Sequence, residues 1–176
     1  MTAAATRYSD PRAHELRAEY LATYPVPEIP VPIESIAEDL LGLRIEERDL
    51  GECSGMLVPS ERLILVNAAE ARNGDVPIRR HRFTIAHELG HWICHALSAG
   101  ADAPTFCRSR DLSQDADRDL EREANVFGAE LLMPELAVRE AWAAFPDRDA
   151  LAARFGVSAL AAQWRLYSFG LGHRPA

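Results

Sequence analysis

Residues 82–93 read Arg82-Phe83-Thr84-Ile85-Ala86-His87-Glu88-Leu89-Gly90-His91-Trp92-Ile93. Ile85, Ala86, Leu89, Trp92 and Ile93 recur at helical intervals, and the pattern predicts a helix over about 79–98. Inside it, His87 and His91 are four residues apart, one above the other, with Cβ atoms roughly 5–6 Å apart. Two imidazoles so placed can converge on one tetrahedral metal ion. Glu88 then lies beside the metal axis, where a carboxylate can take a proton from water at the metal. The competing reading is a surface helix with two solvated histidines. The apolar neighbours argue against it, because histidines buried beside a buried carboxylate need a compensating partner.

A catalytic zinc site needs a third protein ligand and an open position. Three and six residues after His91 stand Cys94 and Leu97, so the extended motif with a glycine and a third histidine at those places is excluded. The alternative is a glutamate on a later helix, and Glu121-Arg122-Glu123-Ala124-Asn125 offers it. Glu121 and Asn125 share a helix face, so Asn125 can hydrogen-bond a ligating imidazole. Glu123 is the rival, but it lies about 200° around the helix from Glu121 and reads more simply as a solvated charge. Cys107 and His95 are lesser rivals. His95 reads as a helix C-terminal or packing residue, and Cys94 and Cys107 read as apolar fillers or loop thiols.

These two blocks carry a resemblance. Residues 82–91, followed by Glu121 through Leu131-Leu132-Met133-Pro134, resemble the ImmA/IrrE family of metallopeptidases. The Pro-rich entry, Ser54-Gly55-Met56-Leu57 and Ile64-Leu65-Val66-Asn67 are similar too, so the likeness spans about residues 25–170. The family usually shows alanine where this chain has Gly128, and no function is read into that departure. The resemblance implies a zincin-like core of the gluzincin type, zinc (Zn2+) ligands at His87, His91 and Glu121, and Glu88 as general base. It also implies a zinc-dependent endopeptidase whose protein substrate is a helix-turn-helix repressor, cut to switch on stress-response or mobile-element genes. Rival functions are a non-catalytic zinc-binding interaction module and a DNA-binding regulator with a metal-sensing domain. For the oxyanion donor, only residue type nominates Tyr20, Tyr24, Tyr167 and His173.

Outward from the motif, the expected fold class is α+β. Asp10-Pro11 opens a helix over 11–24. Pro25, Pro27, Pro30 and Pro32 make an extended connector, and a helix over about 33–41 stops at Gly42. Short apolar runs around Leu43–Ile45, Met56–Val58 and Leu63–Val66 read as three strands of a small antiparallel sheet, the last two a hairpin. The strand at 62–66 is a candidate edge for pairing with an extended substrate. Residues 99–117 read as a surface loop. Helices follow at about 118–133, 135–145, 149–155 and 159–169. The last two, joined by Gly156-Val157-Ser158, look like a helix-turn-helix, but the second carries only Arg165 as a base and its outer face reads as alanine-rich. Packing or substrate docking is therefore expected there in preference to DNA contact. The domain reading is 1–32 N-terminal helix and connector, 33–134 metallopeptidase core, and 135–176 C-terminal helical region.

The 176 residues carry 27 acidic side chains against 19 basic ones, all arginine, for a net charge of −8. Such a balance argues against general nucleic-acid or membrane binding. It suits attraction toward the basic surface that DNA-binding repressors expose. Met1–Ser9 has no apolar core of a secretory signal, and no run approaches the roughly 18 apolar residues of a membrane span. Three irregularly spaced cysteines do not suggest a disulfide framework, so a reducing, cytoplasmic setting is expected.

Overall fold

The computed structural model describes residues 8–24, 29–71, 75–99, 104–107 and 115–175. Helix α1 (Pro11–Thr23) starts where Asp10 accepts a hydrogen bond from the Arg12 amide, and it buries Ala13, Leu16 and Tyr20. Of the Pro-rich connector, residues 25–28 lie outside the described residues. The Ile29–Pro30 bond is cis. Helix α2 (Ile33–Ser35) runs on as a π-helical turn, Ile36–Leu40, with Ile33, Ile36 and Ala37 buried. Gly42, at φ +61°, ends it as expected, because a left-handed residue there lets Leu43 N–H reach back to the Ala37 carbonyl.

The sheet contains β1 (Arg44–Arg48), β2 (Gly55–Val58), β3 (Leu63–Asn67) and β4 (Phe106–Cys107), in the order β1-β3-β2-β4. The expected β2–β3 hairpin is present. Two expectations are corrected. The sheet is mixed, because β1 pairs with β3 in parallel. Nor is β3 an edge: it lies between β1 and β2 with all five residues buried, so it has no side open to a substrate strand. Its run Leu63-Ile64-Leu65-Val66 is continuously apolar, as a strand covered on both faces requires.

The stretch read as a surface loop contains β4, paired to β2 through Met56↔Cys107 and Leu57↔Phe106. Residues 100–103 and 108–114 of that stretch lie outside the described residues. The reading of the cysteines is corrected here as well. Cys107 is disulfide-bonded to Cys53, and Cys94 is free and half-buried. Burial pushes the Cys94 thiol pKa up to about 12.

After α3 (Ala68–Ala71), α4 (Asp75–His91) carries the two-histidine motif, starting a turn earlier than the pattern predicts. It continues as a π-helical turn, Trp92–Ala96, and a short α5 (Leu97–Ala99). Helix α6 (Asp115–Leu132) packs along α4, followed by α7 (Glu135–Ala144), α8 (Arg148–Phe155) and α9 (Ala159–Ser168). The core joins Leu57, Ile64 and Val66 of the sheet to Ile85 and Leu89 of α4 and Phe127 and Leu131 of α6. Each such side chain contributes about 1.5–3 kcal/mol by leaving water.

Small residues set the distance between the two main helices. Ala86 and Gly90 on α4 face Ala124 and Gly128 on α6. A Cβ built on Gly90 would lie 2.8 Å from Ala124 Cα, and one on Gly128 would lie 3.1 Å from the Ala86 carbonyl carbon. The C-terminal helices are fastened by two arginines, the half-buried Arg82 and the buried Arg165. Arg82 of α4 donates to the Gly156 carbonyl in the α8–α9 turn and pairs with Glu34 at 3.2 Å. Arg165 of α9, 3% exposed, pairs with the buried Glu130 and donates to the carbonyls of Met133 and Tyr8. Glu130 also meets His14 of α1 at 2.7 Å.

The outer face of α9 is a further correction. Ala162, Arg165 and Leu166 face inward, so the exposed stripe carries Leu160, Trp164 and Tyr167, not alanines.

Candidate metal centre

Residues 87–91 lie in the most enclosed part of α4, and His87, Glu88 and His91 have no appreciable exposure. On α6, Ala124, Phe127 and Leu131 turn inward, which brings Glu121 one turn earlier onto the same side. The close helix seam then delivers its carboxylate to the histidines. His91 Nε2 lies 2.9 Å from Glu121 Oε1, His87 Nε2 lies 3.1 Å from Glu121 Oε2, and the two Nε2 atoms are 3.1 Å apart. These three residues form the one cluster of metal-binding type among the described residues.

Asn125 follows Glu121 by one turn, and its Oδ1 is 3.2 Å from His87 Nδ1. An amide oxygen only accepts, so Nδ1 carries the hydrogen and the neutral ring turns the Nε2 lone pair toward the cluster. Two imidazole nitrogens and a carboxylate oxygen, buried and convergent, are the donor set that an ion of the zinc class takes. The residues present therefore fit a metal. Burial by itself would raise the Glu121 pKa, but the facing imidazoles of His87 and His91 outweigh it and hold the group down at about 2.

Glu88 sits under β2. A Cβ on Gly55 would come within 2.8 Å of Glu88 Oε1 and 2.4 Å of Thr84 Cγ2, so the strand backbone can lie against this carboxylate only if position 55 has no side chain. On the other flank, the Phe106 ring stacks on His91 with centroids 4.6 Å apart and planes at 15°. His95 lies 5.5 Å from the His91 ring and outside the convergent cluster, and burial lowers its pKa. Glu123 is also outside the cluster. It is exposed, 3.8 Å from Arg12, as a solvated helix charge would be. Cys107 is committed to its disulfide.

Sequence reasoning missed Gly55, Gly90 and Phe106. Glycine within a strand or helix was a visible signal of close backbone approach, whereas nothing in a two-residue strand inside a polar stretch marked Phe106.

A cavity of about 750 Å³ opens beside the cluster, and its lining includes Glu121, Asn125 and residues of α9. Of the four nominated oxyanion donors, Tyr167 lines it. Tyr20 is buried against Tyr24, whose hydroxyl donates to the Asp39 carbonyl at 3.5 Å, and His173 is exposed near the C-terminus.

An α+β fold with a two-histidine helix packed on a glutamate-bearing helix defines a metallopeptidase-type site. The sequence profile of the peptidase family described as the IrrE N-terminal-like domain matches residues 41–167, and the chain belongs to that family. The radiation response metalloprotease IrrE of Deinococcus radiodurans is 29% identical over 129 residues, covering 73% of this chain and 35% of that protein. The metallopeptidase ImmA of Bacillus subtilis is 26% identical over 138 residues, covering 75% and 73%. The chain thus matches about a third of the first relative and about three quarters of the second. Among solved structures, a Mycobacterium tuberculosis transcriptional regulator superposes with a TM-score of 0.54 at 20% identity, over 78% of this chain and 40% of that one, a likeness of fold.

Proposed function

We propose that this chain is a zinc-dependent endopeptidase that cuts a regulatory protein, a helix-turn-helix repressor, and so relieves repression in a stress response or on a mobile element. The observation that carries the reading is the convergence of His87, His91 and Glu121 within 3.1 Å of one another beside the buried Glu88. The family and the names of the two metallopeptidase relatives support the reaction class. His87, His91 and Glu121 would hold the zinc, which when bound supplies Lewis acidity to the scissile carbonyl and acidifies a water molecule.

The Glu88 carboxylate accepts the proton of the attacking water at one oxygen and returns it to the leaving amine nitrogen. Asn125 keeps His87 in the tautomer that presents Nε2. Leu89, Phe106 and the Gly55 backbone exclude bulk water from the motif. Direct DNA binding is not part of the proposal, because the single cation of α9, Arg165, points inward to Glu130. Among the described residues no helix is long and apolar enough to cross a membrane.

The test is a cleavage assay on candidate repressors with metal analysis of each variant. Glu88→Gln is expected to keep its zinc and lose about 10²- to 10⁴-fold in cleavage. His87→Ala and Glu121→Ala are expected to lose zinc, and Glu123→Ala to keep it. Cleavage retained by Glu88→Gln, or zinc lost from Glu123→Ala but not from Glu121→Ala, overturns the assignment.

A further inference from the structure

Resting on the endopeptidase reading, we infer that the cavity between α4, α6 and α9 is a docking cleft for an amphipathic, acidic stretch of the protein substrate. Its location ties it to the reaction. Glu121 and Asn125 are among its lining residues, so a chain that fills the cavity meets residues that hold the cluster together.

Its two walls differ in chemistry. On the α9 side, Leu160, Trp164 and Tyr167 stand at i, i+4 and i+7, with exposures of 57%, 44% and 39%. Trp164 and Tyr167 meet edge-on at 6.0 Å, which fixes them as one apolar surface. Large apolar side chains kept in water along one stripe, at the mouth of a cavity, mark a place where a partner buries them. The lining from α4 and α6 adds cations beside Phe83, Val126 and Ala129. Arg118 and Arg122 stand one turn apart on α6, and Arg80 of α4 lines the same cavity. Arg122 is largely exposed and reaches Asp119 at 3.5 Å, an i,i+3 surface pair that contributes little.

A chain of net charge −8 therefore gathers arginines at the approach to its candidate active site. The overall charge favours basic surfaces at long range, but the cleft itself selects acidic side chains. A polypeptide with apolar groups on one side and carboxylates on the other matches both walls. A nucleic acid matches one, because the α9 wall offers no outward cation.

The cavity volume is in the range of specific ligand sites.

The experiment uses the full chain loaded with zinc and carrying Glu88→Gln, so that peptides stay intact. Fluorescence anisotropy at low salt compares three labelled probes: a peptide of alternating glutamates and leucines or phenylalanines, its lysine-for-glutamate counterpart, and a short DNA duplex. The acidic peptide is expected to bind roughly tenfold tighter than the basic one, from a few exposed ion pairs. Arg118→Glu with Arg122→Glu should reverse that order, and Trp164→Ala should weaken both peptides. All three positions are exposed, and circular dichroism confirms that the variants fold.

Equal binding of the two peptides, a preference that survives the double charge reversal, or duplex binding that exceeds the acidic peptide and falls in the same variants overturns the inference. The endopeptidase reading is judged separately. If the acidic peptide binds as expected but the zinc-loaded wild type cuts no repressor, that reading fails and the cleft stands only as a site for acidic peptides. Repressor cleavage without peptide discrimination upholds the endopeptidase and removes the cleft.

Discussion

Gly90→Ala probes the dependence of the metal centre on the α4–α6 distance. The new methyl would lie 2.8 Å from Ala124 Cα and 2.9 Å from its carbonyl oxygen. That is about 0.6 Å short of the 3.4 Å at which ordinary contact begins. The obstructing atoms are backbone, so no rotamer change relieves them and α6 must withdraw. Glu121 lies one turn away on the same face and withdraws with it. Its contacts to His91 and His87, now 2.9 and 3.1 Å, would stretch beyond hydrogen-bond range.

Metal ligation tolerates only about 0.2 Å, so the site should suffer more than the fold. Alanine gains about 1 kcal/mol of helix propensity over glycine, and overpacking costs about 1–3 kcal/mol. The net loss of stability is thus expected to be about 0–2 kcal/mol, while zinc affinity falls by about tenfold or more, the scale of disturbed ligand support. Competition with a chromophoric chelator measures affinity, and thermal melts with and without zinc measure stability. If Gly90→Ala binds zinc like the wild type and melts higher, the seam is not tight and the reasoning is refuted.

Asn125→Ala should lower zinc affinity by roughly 10- to 100-fold without unfolding the chain; unchanged affinity in the chelator competition removes Asn125 from the site. Reducing Cys53–Cys107, or replacing Cys53 with serine, releases a loop of sequence separation 54 and should cost up to about 4 kcal/mol in urea unfolding. An unmoved midpoint would show that the bond does not constrain the unfolded chain. Arg165→Met should cost about 3–5 kcal/mol by stranding the Glu130 charge, and adding Glu130→Leu should restore much of it; a single variant as stable as wild type contradicts the pairing. At pH 8, Cys94 is held as a thiol by its raised pKa, so alkylation should be much slower in the native chain than in urea. Equal rates would mean that the site is open.

What could be read from the sequence was local. The spacing of His87 and His91, and of Glu121 and Asn125, is a property of one helix each, and periodicity alone placed those side chains on common faces. Asp10, Gly42, Gly156 and Ser158 marked helix ends because capping depends on neighbouring backbone groups. Pairing across the chain was a different matter. The parallel β1–β3 contact depends on a crossover that neither strand encodes, and β4 has only two residues with no period to detect. The Cys53–Cys107 bond follows from β4 lying beside β2, so it was hidden for the same reason. On α9 two apolar stripes compete for the interior. Arg165 decided which one turned outward, because Glu130 offered it a buried partner.

The meeting of His14, Glu130 and Arg165 has a practical consequence for anyone trimming the gene. A version ending at Pro134 would keep every residue of the metal cluster and still carry Glu130, but would delete the guanidinium that neutralises it. One starting after α1 would remove its other partner. Both cuts take a partner from a carboxylate on the helix that bears Glu121, and poor expression of such fragments would say nothing about whether the catalytic apparatus is sound.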